Sequence, residues 1–313
     1  VTTTARASRR TRIGLLQVCA AGVLWGTGGL VVTFLHERDG FGAMTVSAWR
    51  MVIAAVALIV FATAARRGRA VLRTMREHPL LVTLVGCGTA TYQGLYFVSV
   101  LMVGVSVATV VSLGLAPILA ATWEHLAAGT RPSRRQVAVL AGALSGLVLI
   151  SFAAGHGSAA PSDEPALGLL LAVAAGATYA GTTVLGHRLS QQVEAIALTT
   201  CATVVGAIVL APFFVVAAVT GAPVLTPDPV SLTLLAYLGI ATMALSYGLL
   251  YAGLRTTSGS AATVATLVEP LSAAALAAVL LGERLPWLGV VGGALILAAV
   301  VALNPAEEYP APV

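Results

Sequence analysis

A chain of 313 residues that is 58% hydrophobic and only 9% charged cannot cover a water-facing surface, since a soluble domain carries about 25% charged residues. Its mean hydropathy of +0.95 makes the bilayer its solvent. The net charge of +5 comes from arginine alone and needs no nucleic-acid partner, because anionic lipid answers it.

A helix needs about 20 residues to cross the hydrocarbon core. Apolar runs of that length predict spans near 13–35, 43–64, 80–101, 105–127, 136–154, 167–187, 195–219, 230–253, 259–281 and 286–303. The basic start followed by an apolar run looks superficially like a signal peptide. The run from Ile13 to Leu35 is too long for one and is read as the first span. Arg6, Arg9, Arg10 and Arg12 precede it; Arg66, Arg67, Arg69, Arg73 and Arg76 follow the second span; Arg131, Arg134 and Arg135 follow the fourth. Arg188 and Arg255 follow the sixth and eighth. By the positive-inside rule these segments, and both termini, lie in the cytoplasm. Cys19, Cys87 and Cys201 each fall within a span, without metal or disulfide spacing.

The chain also repeats itself at an offset of 154 residues. Gly14-Leu15-Leu16 returns as Gly168-Leu169-Leu170, Ala20-Ala21-Gly22 as Ala174-Ala175-Gly176, and Gly94-Leu95 as Gly248-Leu249. Ser106-Val107-Ala108-Thr109-Val110 returns as Ser260-Ala261-Ala262-Thr263-Val264. With five spans per copy, the second enters the membrane from the opposite side. The expected organisation is a basic cytoplasmic arm (1–12), a first five-helix repeat (13–154), a linker (155–166), a second five-helix repeat (167–303) and a short cytoplasmic tail (304–313). Gly22/Gly26, Gly142/Gly146 and Gly289/Gly293 sit four apart, the spacing that lets helix backbones approach.

Glu269 is the sharpest chemical signal. It lies about 15 Å into the ninth span at 1.5 Å per residue, where an ionised carboxylate costs about 2.5–3.5 kcal/mol on insertion scales. Such a group faces a cavity, has a partner or is protonated; a purely structural glutamate is the plainer reading. Pro270 follows it and kinks the span. Pro117, after Ala116, supplies the kink in the first copy without the carboxylate. Arg50, inside the second span, snorkels, binds an anion or pairs with an acid such as Glu269. Trp25, Tyr92, Tyr96, Tyr179, Tyr247 and Tyr251 lie inside spans, with Gln93 beside the first tyrosine pair. Rings with polar tips at that depth suit a substrate cavity, or plain helix packing. Glu124 and His125 are expected at the interface, with Arg131 in reach. No metalloprotease, serine-hydrolase, phosphate-loop or metal-ligand pattern is present, so no catalytic residue, metal or cofactor is expected.

These residues resemble the drug/metabolite transporter superfamily, in its EamA-type ten-span family. The resemblance rests on Leu24-Trp25-Gly26, Trp49-Arg50, Ser260-Ala261-Ala262 leading to Glu269-Pro270, Leu280-Leu281-Gly282-Glu283-Arg284-Leu285, and Gly292-Gly293-Ala294-Leu295-Ile296. The first copy departs from the pattern, with Ala116-Pro117 for Glu-Pro and Gly129-Thr130-Arg131 for Gly-Glu-Arg. The resemblance implies an all-α integral membrane fold: ten transmembrane helices as two inverted-topology repeats around a central cavity. It also implies a secondary transporter, not an enzyme, in the bacterial cytoplasmic (inner) membrane, moving amino acids, amines or drug-like solutes by alternating access, as export or exchange. Its partners would be the small-molecule substrate, membrane lipid and possible coupling protons, and the protein would be a monomer or weak homo-oligomer. The rival readings are a passive facilitator or channel and a non-transporting membrane enzyme or sensor.

Overall fold

A computed structural model describes residues 2–153, 164–280 and 286–303. Most of the linker at 155–166, the 281–285 part of the motif before the last span and the tail 304–313 lie outside the described residues. Everything regular that is described is helical. The first half holds α1 (Thr2–Asp39), α2 (Ala43–Ala64), α3 (Gly68–Glu77), α4 (Pro79–Val103), α5 (Val105–Ala128) and α6 (Arg134–Ala153). The second holds α7 (Pro165–Ser190), α8 (Ala195–Leu210), α9 (Pro212–Val219), α10 (Pro229–Gly239), α11 (Ser246–Gly253), α12 (Gly259–Ala265), α13 (Val268–Leu280) and α14 (Trp287–Ala302). One π-helical stretch, Ile240–Leu245, joins α10 to α11.

Local chemistry sets most boundaries. Proline opens α4, α7, α9 and α10, where its missing N–H costs nothing. Gly129 ends α5 in the left-handed conformation, at φ 62°. Ser133 and Gln136 cap α6 reciprocally, the Gln136 N–H donating to the Ser133 hydroxyl at 3.2 Å and the Ser133 N–H to Gln136 Oε1 at 2.7 Å. Asp228 caps α10 by accepting from the Ser231 N–H at 2.9 Å.

Among the described residues, nine segments are long and apolar enough to cross a membrane, and α14 is a shorter apolar helix of 16 residues. Large apolar side chains such as Val60, Leu101, Val219 and Val301 are exposed, as lipid-facing residues must be. Buried hydroxyls bond a carbonyl one turn back: Thr89 to Val85, Ser112 to Ala108, Thr199 to Ala195. Hydrocarbon offers no water, so this internal bonding is the available solution.

Three features differ from the sequence expectation. The arginine-rich segment after the second span is itself helical: α3 turns Val71 and Met75 onto the core and leaves Arg69 exposed and Arg73 beside Glu77. It packs on α8 and lies as an interfacial amphipathic helix would. The eighth span is not a continuous α-helix, because the π turns interrupt it. The seventh divides into α8 and α9 at Pro212. The ninth, where Pro270 predicts a kink, breaks into α12 and α13.

The halves interlock. The first helix of the first half, α1, packs on α11 and α13; the first helix of the second, α7, packs on α4 and α5. α6 lies on α14 and α2 on α8. In the α6–α14 seam, a Cβ on Gly146 would sit 2.5 Å from the Gly292 carbonyl oxygen, so only glycine permits that approach. One end of the bundle gathers the arginine-rich segments, with Arg67 paired to Glu194 at 2.8 Å and Arg255 bonded to the Val193 carbonyl. At the opposite end Arg38 pairs with Asp228 at 3.0 Å and the Trp49 indole N–H donates to the Val224 carbonyl at 2.7 Å.

Candidate functional site

The site forms around the break between α12 and α13. Pro270 has no N–H, and its ring crowds the carbonyl one turn earlier, that of Thr266. The chain responds at Thr266-Leu267 with tighter turns: the Leu267 N–H donates to the Val264 carbonyl at 3.1 Å and the Glu269 N–H to that of Thr266 at 2.9 Å. Glu269 therefore opens α13 in its first turn. α1 fits against this break through its glycines. A Cβ on Gly22 would stand 3.3 Å from the Thr266 carbonyl oxygen, and one on Gly26 would stand 2.5 Å from that of Glu269. α5, by contrast, runs unbroken through Pro117.

Trp25 rises from α1 beside these glycines and packs on Tyr247, ring centroids 5.1 Å apart; Tyr247 continues to Tyr251 at 6.1 Å. A second aromatic group joins Tyr96 to Tyr92 at 6.0 Å and Tyr92 to Tyr179 at 4.9 Å, both stacked. The groups meet around a small void of about 10 Å³, bounded by Tyr92, Tyr179, Tyr247 and Tyr251 with Thr89 and Thr182. That is about the room one water molecule needs. The Tyr179 hydroxyl donates to Thr266 Oγ1 at 3.0 Å, tying α7 to the break itself, and Tyr96 shares a 2.8 Å hydrogen bond with Thr109. Gln93 is buried and does not border the void; neither of its amide atoms has a partner among the described residues.

Arg50 reaches from α2 to the π turns, where Nη2 donates to Thr242 Oγ1 at 3.2 Å; Thr242 in turn donates to the Leu238 carbonyl at 2.6 Å. Its charge lies within electrostatic range of Glu269, Tyr92 and Tyr247. Among the described residues no ion pair joins Arg50 to Glu269, and Arg50 Nε has no partner. Beside them Thr27 and Tyr237 share a 2.6 Å hydrogen bond between α1 and α10.

Burial is graded along the bundle axis. Tyr251, Tyr179, Thr266 and Leu267 are buried, whereas Trp25, Arg50, Tyr92, Tyr96 and Glu269 are half-buried. Residues 261–268 are all buried and residues 269–274 are all half-buried. The packing follows the same division, since α12 lies on α5 and α7 while α13 lies on α1, α6 and α14. Around the break, the α12 side is thus more buried than the α13 side.

Glu124 ties α5 to α12 at the arginine-rich end. Instead of meeting Arg131 at the interface, its carboxylate accepts from the Ser260 N–H at 3.1 Å and from the Ser260 hydroxyl at 2.5 Å, holding the end of α5 to the start of α12. His125 pairs with Thr130 at 2.9 Å. This clasp, Thr242 as a partner for Arg50 and the Thr27–Tyr237 bond leave no signal in the residue pattern. Among the described residues no group of side chains is placed to hold a metal ion.

A multi-pass helical bundle with a broken helix and an embedded carboxylate defines an integral membrane protein built around a polar interior. Its family is settled by comparison. Residues 12–152 and 166–304 each match the model of the EamA-like transporter family, so the chain belongs to that family, one of transporters rather than enzymes. The matched stretches begin 154 residues apart. The chain is 28% identical to "Uncharacterized transporter YwfM" of Bacillus subtilis over 94% of each chain. It is 26% identical to "Uncharacterized inner membrane transporter YicL" of Salmonella typhimurium over 94% of this chain and 96% of that one. It is 30% identical to "Probable terminal-alkyne amino-acid exporter" of Streptantibioticus cattleyicolor over 85% of each. A solved crystal structure shares the fold at a TM-score of 0.76 and 21% identity, over 94% of this chain and 96% of the other.

Proposed function

We propose that this protein is a secondary transporter of the cytoplasmic membrane that exports or exchanges small zwitterionic metabolites, amino acids above all, by alternating access. One observation carries the substrate class: Arg50 and Glu269 bring opposite charges to the same half-buried region without pairing to each other. A solute carrying both a carboxylate and an ammonium group satisfies both at once, with the carboxylate on the guanidinium fork and the ammonium on Glu269. Trp25, Tyr92 and Tyr96 then pack its side chain. The exporter name of the Streptantibioticus relative agrees with this class.

Alternating access is supported by the interlocked halves. α1 lies on α11 and α13 as α7 lies on α4 and α5, the exchange that two inverted copies require. The arginine-rich end is cytoplasmic on this reading, and the less buried α13 side of the break lies toward the external end.

The test is counterflow in proteoliposomes with three matched compounds: an amino acid, its decarboxylated amine and its deaminated acid. The amino acid exchanges saturably, and each partner lacking one charge falls about ten- to a hundredfold, the worth of one hydrogen bond to a charged group. An amine that exchanges as well as the amino acid removes Arg50 as a carboxylate site, and the acid does the same for Glu269. Repeating the assay with a pH gradient separates proton-coupled exchange from facilitation.

A further inference from the structure

Several polar groups around the aromatic void have partners. Thr89 donates to the Val85 carbonyl at 2.8 Å, and the Tyr96 and Tyr179 hydroxyls bond Thr109 and Thr266. Gln93 departs from this pattern. It is 6% exposed, and neither Oε1 nor Nε2 has a partner among the described residues. Burying an unbonded amide is costly, so packing alone would be served better by leucine or methionine at this position.

Its place on α4 sets what it stands beside. Thr89, Gln93 and Tyr96 follow one another at four- and three-residue steps, so they share a face of the helix. Thr89 borders the void and Tyr96 stacks on Tyr92, so Gln93 lies one turn beyond the void on the interior wall. α2 runs alongside, since a Cβ on Gly94 would stand 3.5 Å from Met44 Cε. Ser47 and Arg50 follow Met44 at three-residue steps. Ser47 is fully buried and its hydroxyl has no partner among the described residues, nor has Arg50 Nε. The unbonded amide thus belongs to a polar strip shared by α2 and α4, on the side from which Arg50 enters the site.

We propose that Gln93 selects the side chain of the transported amino acid and favours one bearing an amide or a hydroxyl, a selection that rests on the reading of Arg50 and Glu269 as the two ends of a zwitterion site. With the carboxylate and ammonium groups held there, the substrate's side chain is left to Tyr92, Gln93 and Tyr96. An amide or hydroxyl offers both a donor and an acceptor, which is what the two unbonded atoms of Gln93 require. An apolar side chain of the same shape leaves them unbonded, and a site built to bond a polar group rejects such an analogue. The three rotatable bonds of the glutamine side chain let the amide turn from the helix interface to the substrate.

The test is counterflow in proteoliposomes with two pairs of amino acids matched in shape, asparagine with leucine and threonine with valine, together with thermal unfolding of the full chain. The polar member of each pair exchanges about tenfold more efficiently than the apolar one, the worth of one hydrogen bond. Gln93→Met and Gln93→Leu bring both ratios close to one and leave the unfolding temperature unchanged or raise it. Equal exchange within the pairs on the unsubstituted chain, or ratios that survive both substitutions, overturns the selection by Gln93 and leaves the zwitterion reading standing. A lowered unfolding temperature or failure to fold in both variants shows a structural amide and overturns it as well. Exchange of none of the four amino acids defeats the zwitterion reading and the selection together.

Discussion

Arg50 and Glu269 pose a choice that substitution can settle. If they serve only to neutralise each other, removing both charges is milder than removing one, because a lone embedded charge is the costly state. If they hold the two ends of a substrate, the double variant is the worst. We predict that Glu269→Gln keeps the fold and loses discrimination for the ammonium group, that Arg50→Gln loses it for the carboxylate, and that Arg50→Gln/Glu269→Gln does not regain transport. Recovery of counterflow in the double variant would reduce the pair to structural neutralisation. Glu124 supports a separate prediction. Glu124→Ala removes two hydrogen bonds from the start of α12 and costs about 1–2 kcal/mol, as loss of a helix cap does, read as a lowered unfolding temperature. Depth alone made Glu269 and the tyrosines legible as candidates. The clasp at Glu124 was not legible, because it joins residues 136 positions apart and its polar ends lie where interfacial residues are ordinary.

At the scale of helices, proline and glycine carry most of the readable signal. Pro270 announced a disturbed ninth span, and the break lies one turn before it, where the ring meets the Thr266 carbonyl. Pro117 carries the same local signal, yet α5 stays continuous while packed on α7 and α12. The π turns at 240–245 contain neither proline nor glycine. They follow Gly239, where a Cβ would stand 2.5 Å from Ile53 Cβ, so close approach to α2 accompanies the change of register. Such turns recur at functional sites, and here they present Thr242 to Arg50. The glycine spacing foresaw packing without saying which glycines touch. Gly26→Ala should displace α13, cost about 1–3 kcal/mol as overpacking does, and lower transport at least tenfold by moving Glu269. Gly142, also four residues from a second glycine, has nothing within 4 Å of a built Cβ, so Gly142→Ala should be neutral or stabilise by up to about 1 kcal/mol. Equal effects at the two positions, in thermal unfolding and counterflow, would show that glycine content and not contact governs both.

For the molecule as a whole, the two ends are held by different chemistry. The Arg38 guanidinium, with the Ser231 N–H and hydroxyl, holds the Asp228 carboxyl down to about 2. A depressed carboxyl contributes above its unfolded value and loses that contribution as pH falls through the folded one, so the Arg38–Asp228 contact persists throughout pH 5–8. A pH dependence of transport in that window therefore arises elsewhere, and Asp228→Asn should leave its shape unchanged. At the arginine-rich end Glu124 holds α5 to α12, and α12 lies against α5 and α7. Single cysteines can read this asymmetry once Cys19, Cys87 and Cys201 are replaced by alanine. Ser272 is half-buried on the α13 side of the break and Thr263 is 1% exposed on the α12 side. Ser272→Cys should react with a membrane-impermeant thiol reagent added at the end carrying Arg38, and Thr263→Cys should react from neither side. Adding Glu124→Ala should expose Thr263→Cys to reagent from the arginine-rich end and slow Ser272→Cys, since two conformations in exchange gain access at one end as they lose it at the other. If both cysteines gain reactivity together, Glu124 merely holds α12 folded; opposite changes mean that the clasp sets which end of the bundle is open.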